Sequence, residues 1–195
     1  MPSRAGTRHQ SDVALLLIDV INHFEFPDAE NVLCNVLAIA PNLARLKARA
    51  KRSGIPTIYV DDNFGQWRSD ARTMAQYCVR PEPPGKDFVR TVLPDDDDYF
   101  VLKPMHSAFH QTPLDTLLRY LQTTSVIICG LATNGCILCS VHDAKMRDLA
   151  ATVPSDCCAA RTAREHTQTL DHIKEITGAR VLPSTSVRFA KTKRG

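Results

Sequence analysis

Short, uninterrupted apolar runs alternate along the chain with longer amphipathic stretches. Val13–Ile18 contains no polar residue, as is typical of a strand buried on both faces of a sheet. Comparable runs follow at 55–60, 99–102, 125–129, 151–153 and 179–182. Between them, apolar residues recur at helical spacing, as in the stripe Leu170, Ile173 and Ile176 that precedes Gly178. This alternation predicts parallel strands joined by right-handed crossovers, and therefore a Rossmann-like α/β fold with three α/β/α layers and a mostly parallel six-stranded sheet.

The chain has 195 residues, which is enough for one domain with a sizeable core. We assign residues 1–12 to a flexible leader, 13–190 to a single domain and 191–195 to a basic tail. Within the domain, 81–98 is rich in proline and aspartate and is expected to be a surface excursion. Its acidic run Asp95–Asp98 is interpreted as a solvated loop rather than a cation site, because oxygen ligands alone do not make a cage.

Composition and charge exclude several classes of protein. The 24 basic against 21 acidic residues give a formal charge of +3, which is too small to indicate a nucleic acid or membrane partner. No apolar run reaches the length of a membrane span, and the polar N-terminus does not resemble a secretory signal, so a cytoplasmic location is expected. An odd number of cysteines, seven, then indicates free thiols rather than a disulfide framework.

Chemically useful residues follow three of the predicted strands. Asp19 comes directly after the first strand, Lys103 ends the third, and the fourth runs into the glycine-rich turn 130–136, which ends at Cys136. In open α/β sheets, ligands bind beyond the carboxyl ends of the strands. We therefore expect these three side chains to converge at one edge of the sheet.

Cys136 is the candidate nucleophile among the seven cysteines. A helix N-terminus and a nearby ammonium both favour a thiolate, so we expect Lys103 and the turn to lower the pKa of the Cys136 thiol. Asp19 would be the general base. Taken singly, each residue has an ordinary interpretation: a cysteine is usually a small buried apolar residue, as we expect for Cys129 and Cys139, an aspartate can cap a helix, and a lysine usually lies on the surface.

The segments Leu15–Asn22, Val101–Phe109 and Gly130–Cys136 together resemble the isochorismatase-like cysteine hydrolases, which include nicotinamidases, N-carbamoylsarcosine amidases and ureide-type amidases. The resemblance implies a catalytic triad of Asp19, Lys103 and Cys136. It also implies a cis peptide bond between Leu131 and Ala132, which would direct the backbone amides of Ala132 and Cys136 at a developing oxyanion.

The resemblance further implies acyl transfer through a thioester on Cys136, with Asp19 serving both half-reactions as the base. Nicotinamidases place an Asp-x-His unit and a further histidine after the second strand as a metal site. Residues 61–70 contain no histidine here, so we expect no metal and no other cofactor. True isochorismatases lack the cysteine, and Cys136 therefore favours hydrolysis of a C–N bond in a small amide, carbamoyl or ureide substrate.

Other side chains are expected to bind this small-molecule substrate: Phe24, Asp62, Asn63, Phe64, Trp67, His106 and Phe109. His106 and His110 could instead be a ligand pair, although no third ligand is evident. Family members commonly form dimers or larger assemblies, so a homo-oligomer, either a dimer or a tetramer, is expected. Three alternatives stay open: an isochorismatase-type hydrolase of a non-amide molecule, a thiol redox protein using Cys136 and Cys139, and a non-catalytic scaffold.

Overall fold

The computed structural model describes residues 10–27, 29–62 and 70–189. Most of the expected leader and the expected tail, 191–195, lie outside these ranges. So do three of the expected substrate-binding residues, Asn63, Phe64 and Trp67. These expectations therefore stay predictions.

Among the described residues, seven strands form one sheet, and every pairing between them is parallel. Their bounds are β1 Val13–Ile18, β2 Thr57–Asp62, β3 Tyr99–Lys103, β4 Ser125–Leu131, β5 Ala150–Pro154, β6 Cys158–Ala159 and β7 Arg180–Leu182. The order is β3-β2-β1-β4-β5-β7, and the two-residue β6 pairs only with the end of β4. The predicted mostly parallel sheet of six strands is confirmed, and β6 is too short to leave an apolar run in the sequence.

Six α-helices cover the sheet within the described residues: α1 Ala29–Arg52, α2 Ala71–Cys78, α3 Lys86–Thr91, α4 Leu114–Leu121, α5 Leu138–Lys145 and α6 Ala163–Thr177. Right-handed crossovers that run in opposite directions along a sheet place their helices on opposite faces. Accordingly, α1 packs with α3 on one face, and α5 packs with α6 on the other. No helix in the described ranges is both long enough and apolar enough to cross a membrane.

Order along the chain and order in the sheet differ at β1, and this difference creates the site. From β1 the chain proceeds outward to β2 and β3, and then returns to β4 on the other side of β1. The carboxyl ends of β1 and β4 therefore lie side by side, with Ile18 opposite Gly130. A crevice beyond the strand ends at such a reversal is where open α/β sheets bind ligands.

One of two details of helix α6 differs from the sequence prediction. Gly178 does end α6 in the left-handed conformation, with φ at 71°, as predicted. Ile176, however, is 61% exposed, and the buried stripe consists of Leu170, Ile173 and Thr177. The helix is therefore rotated so that a threonine takes the buried place; its hydroxyl donates to the Ile173 carbonyl at 2.6 Å, which makes the burial inexpensive.

The expected surface excursion, 81–98, is more ordered than predicted. It contains α3, whose Phe88 and Val89 are fully buried in the core. The acidic run is not simply solvated, because two lysines of α1 bridge it. Lys47 Nζ lies 2.8 Å from Asp98 and 3.1 Å from Asp95, and Lys51 Nζ lies 3.0 Å from both Asp95 and Asp97. The lysines occupy the position that a cation would take.

We expect Gly130 to be indispensable for the close approach of β1 and β4. Its φ is +118°, and an added Cβ would lie 2.1 Å from the carbonyl oxygen of Ile18. Strain and steric overlap should together cost about 3–5 kcal/mol of unfolding free energy in Gly130→Ala. Gly178→Ala is the matched control, because a Cβ there meets nothing within 4 Å and only the left-handed φ is strained, at about 1 kcal/mol. Urea unfolding measures both, and equal losses would contradict the argument.

Candidate active site

Asp19 stands at the turn that immediately follows β1. Its φ is +52°, which is uncommon outside glycine but tolerated by aspartate, and only 7% of the residue is exposed. The Asp62 backbone N–H donates to Oδ1 at 2.9 Å, and the Asp19 N–H donates to the Val60 carbonyl at 3.1 Å. The carboxylate is therefore fixed by the neighbouring end of β2.

Lys103 is the last residue of β3, and its side chain is completely buried. Its Nζ lies 3.0 Å from Asp19 Oδ2 and 3.5 Å from Cys136 Sγ. A third neighbour, Asp62 Oδ2, is 3.7 Å away and belongs to a side chain that is 37% exposed. The predicted convergence of Asp19, Lys103 and Cys136 is therefore present in the fold, with the ammonium between the carboxylate and the sulfur.

Cys136 lies in a wide π-helical turn, 133–137, rather than in the first turn of a regular α-helix. Gly135 interrupts the turn with non-helical angles, φ −128° and ψ −105°, and α5 begins only at Leu138. The Ala132 carbonyl accepts hydrogen bonds from the amides of Gly135 and Ile137, at 3.0 and 3.2 Å. The turn is therefore anchored through the carbonyl of Ala132.

The expected cis peptide bond is wrong. No peptide bond among the described residues is cis, so Leu131 and Ala132 are joined in the trans form. Trans is the ordinary form of a bond that does not precede proline. Ala132 adopts an extended conformation, φ −88° and ψ 150°, which turns the chain from β4 into the turn.

The expected lowering of the Cys136 pKa is also wrong for the free protein. Burial and the adjacent Asp19 carboxylate raise the pKa of the Cys136 thiol to about 12, and Lys103 only partly opposes them. The reason is the charge balance: Asp19 already neutralises the single buried ammonium, so a thiolate would add a second anion. At rest the sulfur is therefore protonated.

Burial also raises the pKa of Asp19, although Lys103 and the hydrogen bonds to the carboxylate oppose the shift. Lys103 behaves differently. Burial alone would lower its pKa, but Asp19 and Cys136 outweigh that effect, and the pKa of Lys103 is raised. The ammonium is consequently a permanent charge, whereas the carboxylate is well suited to accept a proton.

The other expected substrate-binding residues have different environments. His106 is exposed, and its Nδ1 lies 3.8 Å from Cys136 Sγ. Asp62 is beside Lys103, as described above. Phe24 is only 1% exposed and packs edge-to-face on Phe88, and Phe109 is 3% exposed beneath the guanidinium of Arg147, at 4.8 Å. Both rings belong to the buried apolar core, and their expected contact with the substrate stays a prediction.

Sequence reasoning assigned no role to three residues that shape the site. Ser140, fully buried on α5, donates to the Cys136 carbonyl at 2.6 Å and accepts from the Ala108 amide at 2.9 Å. Thr133, also fully buried, has its hydroxyl 2.9 Å from Nδ1 of His166 on α6. These contacts fix the turn from two sides. The only sequence signal for them was spacing, since Ser140 and Thr133 each lie about one helical turn from Cys136.

Asp61 is the third of these residues. From the sequence it was placed in the segment after the second strand and was given no role of its own. It is completely buried; its Oδ1 accepts the Ile21 amide at 2.8 Å, and its Oδ2 has no hydrogen-bond partner among the described residues. Burial and the nearby Asp19 charge raise its pKa well above the ordinary value. Two acidic residues in succession at the end of an apolar strand were the available signal.

The family of this chain follows from comparison with known proteins. Residues 13–186 match the isochorismatase domain, and the chain belongs to the isochorismatase family. The resemblance found in the motifs is thereby confirmed, and the family is one of hydrolases.

Three relatives illustrate its range. The chain is 37% identical to an uncharacterized isochorismatase family protein of Bacillus subtilis, YaaI, over 88% of this chain and 94% of the relative. It is 30% identical to a probable inactive nicotinamidase of Arabidopsis thaliana, over 85% and 89% of the two chains. It is 27% identical to maleamate amidohydrolase of Pseudomonas putida, over 78% and 75%.

We expect Asp61→Asn to stabilise the protein progressively as the pH rises. A carboxyl with a raised pKa stays protonated in the folded chain while it ionises in the unfolded chain, so its stability contribution is lost as the pH increases above about 4. The amide does not ionise. Relative to wild type, the unfolding free energy of the variant should therefore rise by up to about 1.4 kcal/mol per pH unit.

Urea titrations of both proteins at pH 4.5, 6 and 7.5 measure this difference. A constant offset between the curves would only reflect how the amide packs, so the quantity of interest is its change with pH. A difference that is the same at all three values would contradict a raised pKa of Asp61.

Proposed function

We propose that the protein is a cysteine hydrolase that cleaves a C–N bond in a small amide, carbamoyl or ureide substrate through a thioester. The observation that carries the proposal is the buried ammonium of Lys103, which lies 3.0 Å from the Asp19 carboxylate and 3.5 Å from the Cys136 sulfur. A nucleophile, a base and a charge that orients both are the minimum set for acyl transfer. Catalytic roles for these three residues are part of the proposal.

The first half-reaction begins with transfer of the thiol proton from Cys136 to Asp19. Because the pKa of both groups is raised by burial, this transfer keeps one anion beside Lys103 throughout. The thiolate then attacks the carbonyl carbon and forms a tetrahedral oxyanion. As the C–N bond breaks, protonated Asp19 returns the proton to the departing nitrogen, which leaves as ammonia or an amine. Water hydrolyses the resulting thioester to the carboxylic acid.

Backbone amides of Ala132 and Cys136 are the proposed donors to the oxyanion. The support is their place in the chain, since both belong to the turn that carries the sulfur. A single well-placed donor can contribute about 3–4 kcal/mol to transition-state stabilisation. Because the Leu131–Ala132 bond is trans, the Ala132 amide does not owe its direction to a cis bond, and the Cys136 amide is the better supported of the two.

The C–N bond is the proposed target for two reasons. The cysteine is the nucleophile type that forms thioesters, and one relative, maleamate amidohydrolase, is named for hydrolysis of an amide. The mechanism uses no metal, since residues 61–70 provide no histidine beside Asp62. A homo-oligomer, either a dimer or a tetramer, belongs to the same proposal and is supported by the family resemblance. The cytoplasmic location expected from the sequence belongs to it as well.

A non-catalytic scaffold is the second candidate, and the relative named a probable inactive nicotinamidase favours it. The two candidates differ in one respect that can be measured. A hydrolase requires the sulfur of Cys136 for turnover, whereas a scaffold has no turnover to lose.

Replacing the sulfur tests the proposal directly. We expect the wild-type protein to release ammonia from at least one member of a panel of small amides, carbamoyl amino acids and ureides, and Cys136→Ala to lose at least about 1,000-fold in kcat. Cys139→Ala is the matched control, one helical turn away and half-exposed, and it should retain full activity.

The outcomes separate the alternatives. Loss of activity in both cysteine variants would indicate a redox pair instead of a single nucleophile. No turnover of any member of the panel, together with equal alkylation of wild type and Cys136→Ala, would support the scaffold.

Replacing the base should separate reactivity from activity. In Asp19→Asn the second cause that raises the pKa of Cys136 is removed and Lys103 is no longer neutralised, so the pKa of the thiol should fall. We expect iodoacetamide to alkylate Cys136 at pH 7 about tenfold faster or more, because each unit of lowered pKa raises the thiolate fraction tenfold. Amide hydrolysis should nevertheless be as low as in Cys136→Ala, because no group then carries the proton to the leaving nitrogen.

Peptide mapping by mass spectrometry identifies the alkylated cysteine, and ammonia release measures hydrolysis. Slower alkylation in Asp19→Asn than in wild type would show that the carboxylate activates the resting thiol, contrary to the charge balance described above.

A further inference from the structure

Within the described part of the chain, His106 is an exposed side chain within hydrogen-bond distance of the sulfur. It lies three residues beyond Lys103, and its Nδ1 is 3.8 Å from Cys136 Sγ. Over the described ranges, the ring has no carboxylate partner and no other hydrogen bond. Its position beside the nucleophile is therefore not explained by an ion pair or by packing in the core.

The backbone holds this ring in place. The Ser140 hydroxyl accepts a hydrogen bond from the Ala108 amide and donates one to the Cys136 carbonyl. It therefore joins the segment that carries His106 to the turn that carries the sulfur. Ser107, next to His106, hydrogen-bonds through its hydroxyl to Asp143 on α5. The backbone that carries the imidazole is consequently anchored to the turn and to α5, close enough for the ring to reach the sulfur.

Asp19 and His106 flank the sulfur in environments that differ in access to water. Asp19 is 7% exposed, its Oδ1 is held by the Asp62 amide and its Oδ2 by the Lys103 ammonium. Once the leaving nitrogen has taken its proton, the carboxylate and ammonium again form a neutral pair. The imidazole, by contrast, is exposed to solvent, and its Nδ1 lies 3.8 Å from the sulfur.

Resting on the proposed function, we infer that His106 is a further catalytic residue, the general base for hydrolysis of the thioester. Neutral imidazole accepts a proton from water as the water oxygen bonds to the acyl carbon. The C–S bond then breaks, the sulfur leaves as a thiolate and takes the proton from the imidazolium, and the carboxylic acid is released. Water and thioester become acid and thiol, and the imidazole is unchanged. Asp19 serves the first half-reaction, and His106 serves the second, in place of the Asp19 base that the family resemblance implies for both.

This division of labour predicts a specific kinetic signature for His106→Gln. Because kcat/KM reports the steps up to formation of the thioester, it should be unchanged within about twofold. Because kcat then reports thioester hydrolysis, it should fall about 100-fold, with KM falling in proportion. His110→Gln is the matched control: it replaces an exposed histidine four residues further along and should leave both constants unchanged.

The experiment uses p-nitrophenyl acetate as the probe with the full-length protein. A burst of one p-nitrophenolate per chain reports acylation, and intact mass spectrometry reports an acetyl group on the enzyme. We expect the acetyl-enzyme of His106→Gln to persist about 100-fold longer than that of wild type or His110→Gln. Hydroxylamine should shorten its lifetime to near the wild-type value, since this nucleophile needs no general base. The rate of Cys136 alkylation should be the same in all three proteins, which excludes a merely structural effect.

Two kinds of failure are distinguishable. Equal acetyl-enzyme lifetimes in wild type and His106→Gln, with the burst intact, would overturn the role of His106 and leave the proposed hydrolase standing. A burst, or an acetyl group on the enzyme, that survives in Cys136→Ala would overturn both proposals. An equal prolongation in His110→Gln would also overturn the role of His106, because the effect would then belong to the whole segment.

Discussion

A cation without access to water is the constraint on which the site depends. The Lys103 side chain is completely buried, and an unpaired ammonium in such a place would be unstable by several kcal/mol. The fold compensates by bringing the ends of β1 and β3 together, with Asp19 at 3.0 Å. Because β2 lies between these strands, both must end at the same level, and the carboxylate must turn inward through a positive φ.

That single cation also limits how many anions the site can hold. Asp19 and a Cys136 thiolate cannot both be charged cheaply, which is why the pKa of the thiol lies near 12 and the pKa of Asp19 is raised. A thiol that stays protonated at rest reacts more slowly with oxidants and alkylating agents than a thiolate does. The same limit on negative charge applies to Asp61, whose carboxyl lies near that of Asp19. Burial and the Asp19 charge raise its pKa, which favours the neutral form.

Much of this arrangement was predictable, because apolar runs mark buried strands and polar residues directly after them mark the functional edge. The convergence of Asp19, Lys103 and Cys136 was predicted in this way. The cis bond expected at Leu131 came from the family resemblance and not from the residues, and the chain has the ordinary trans form there. The raised thiol pKa could not be predicted, since it depends on burial and on Asp19, which is distant in the sequence. The burial of Phe24 and Phe109 was not predicted for a related reason: an aromatic residue near a site motif has the same sequence pattern whether its ring faces the ligand or the core.

The double hydrogen bond of Ser140 has a consequence for how such a site can diversify. Since one hydroxyl joins the segment after β3 to the turn at Cys136, displacement of either backbone would also displace the other. New specificity is therefore acquired more easily by exchanging an outward side chain, such as that of Met105, which is 56% exposed, than by reshaping the loop. Within this fold, change would then proceed by substitution at a few exposed positions. Insertions and deletions would be tolerated only outside the two segments that the Ser140 hydroxyl connects.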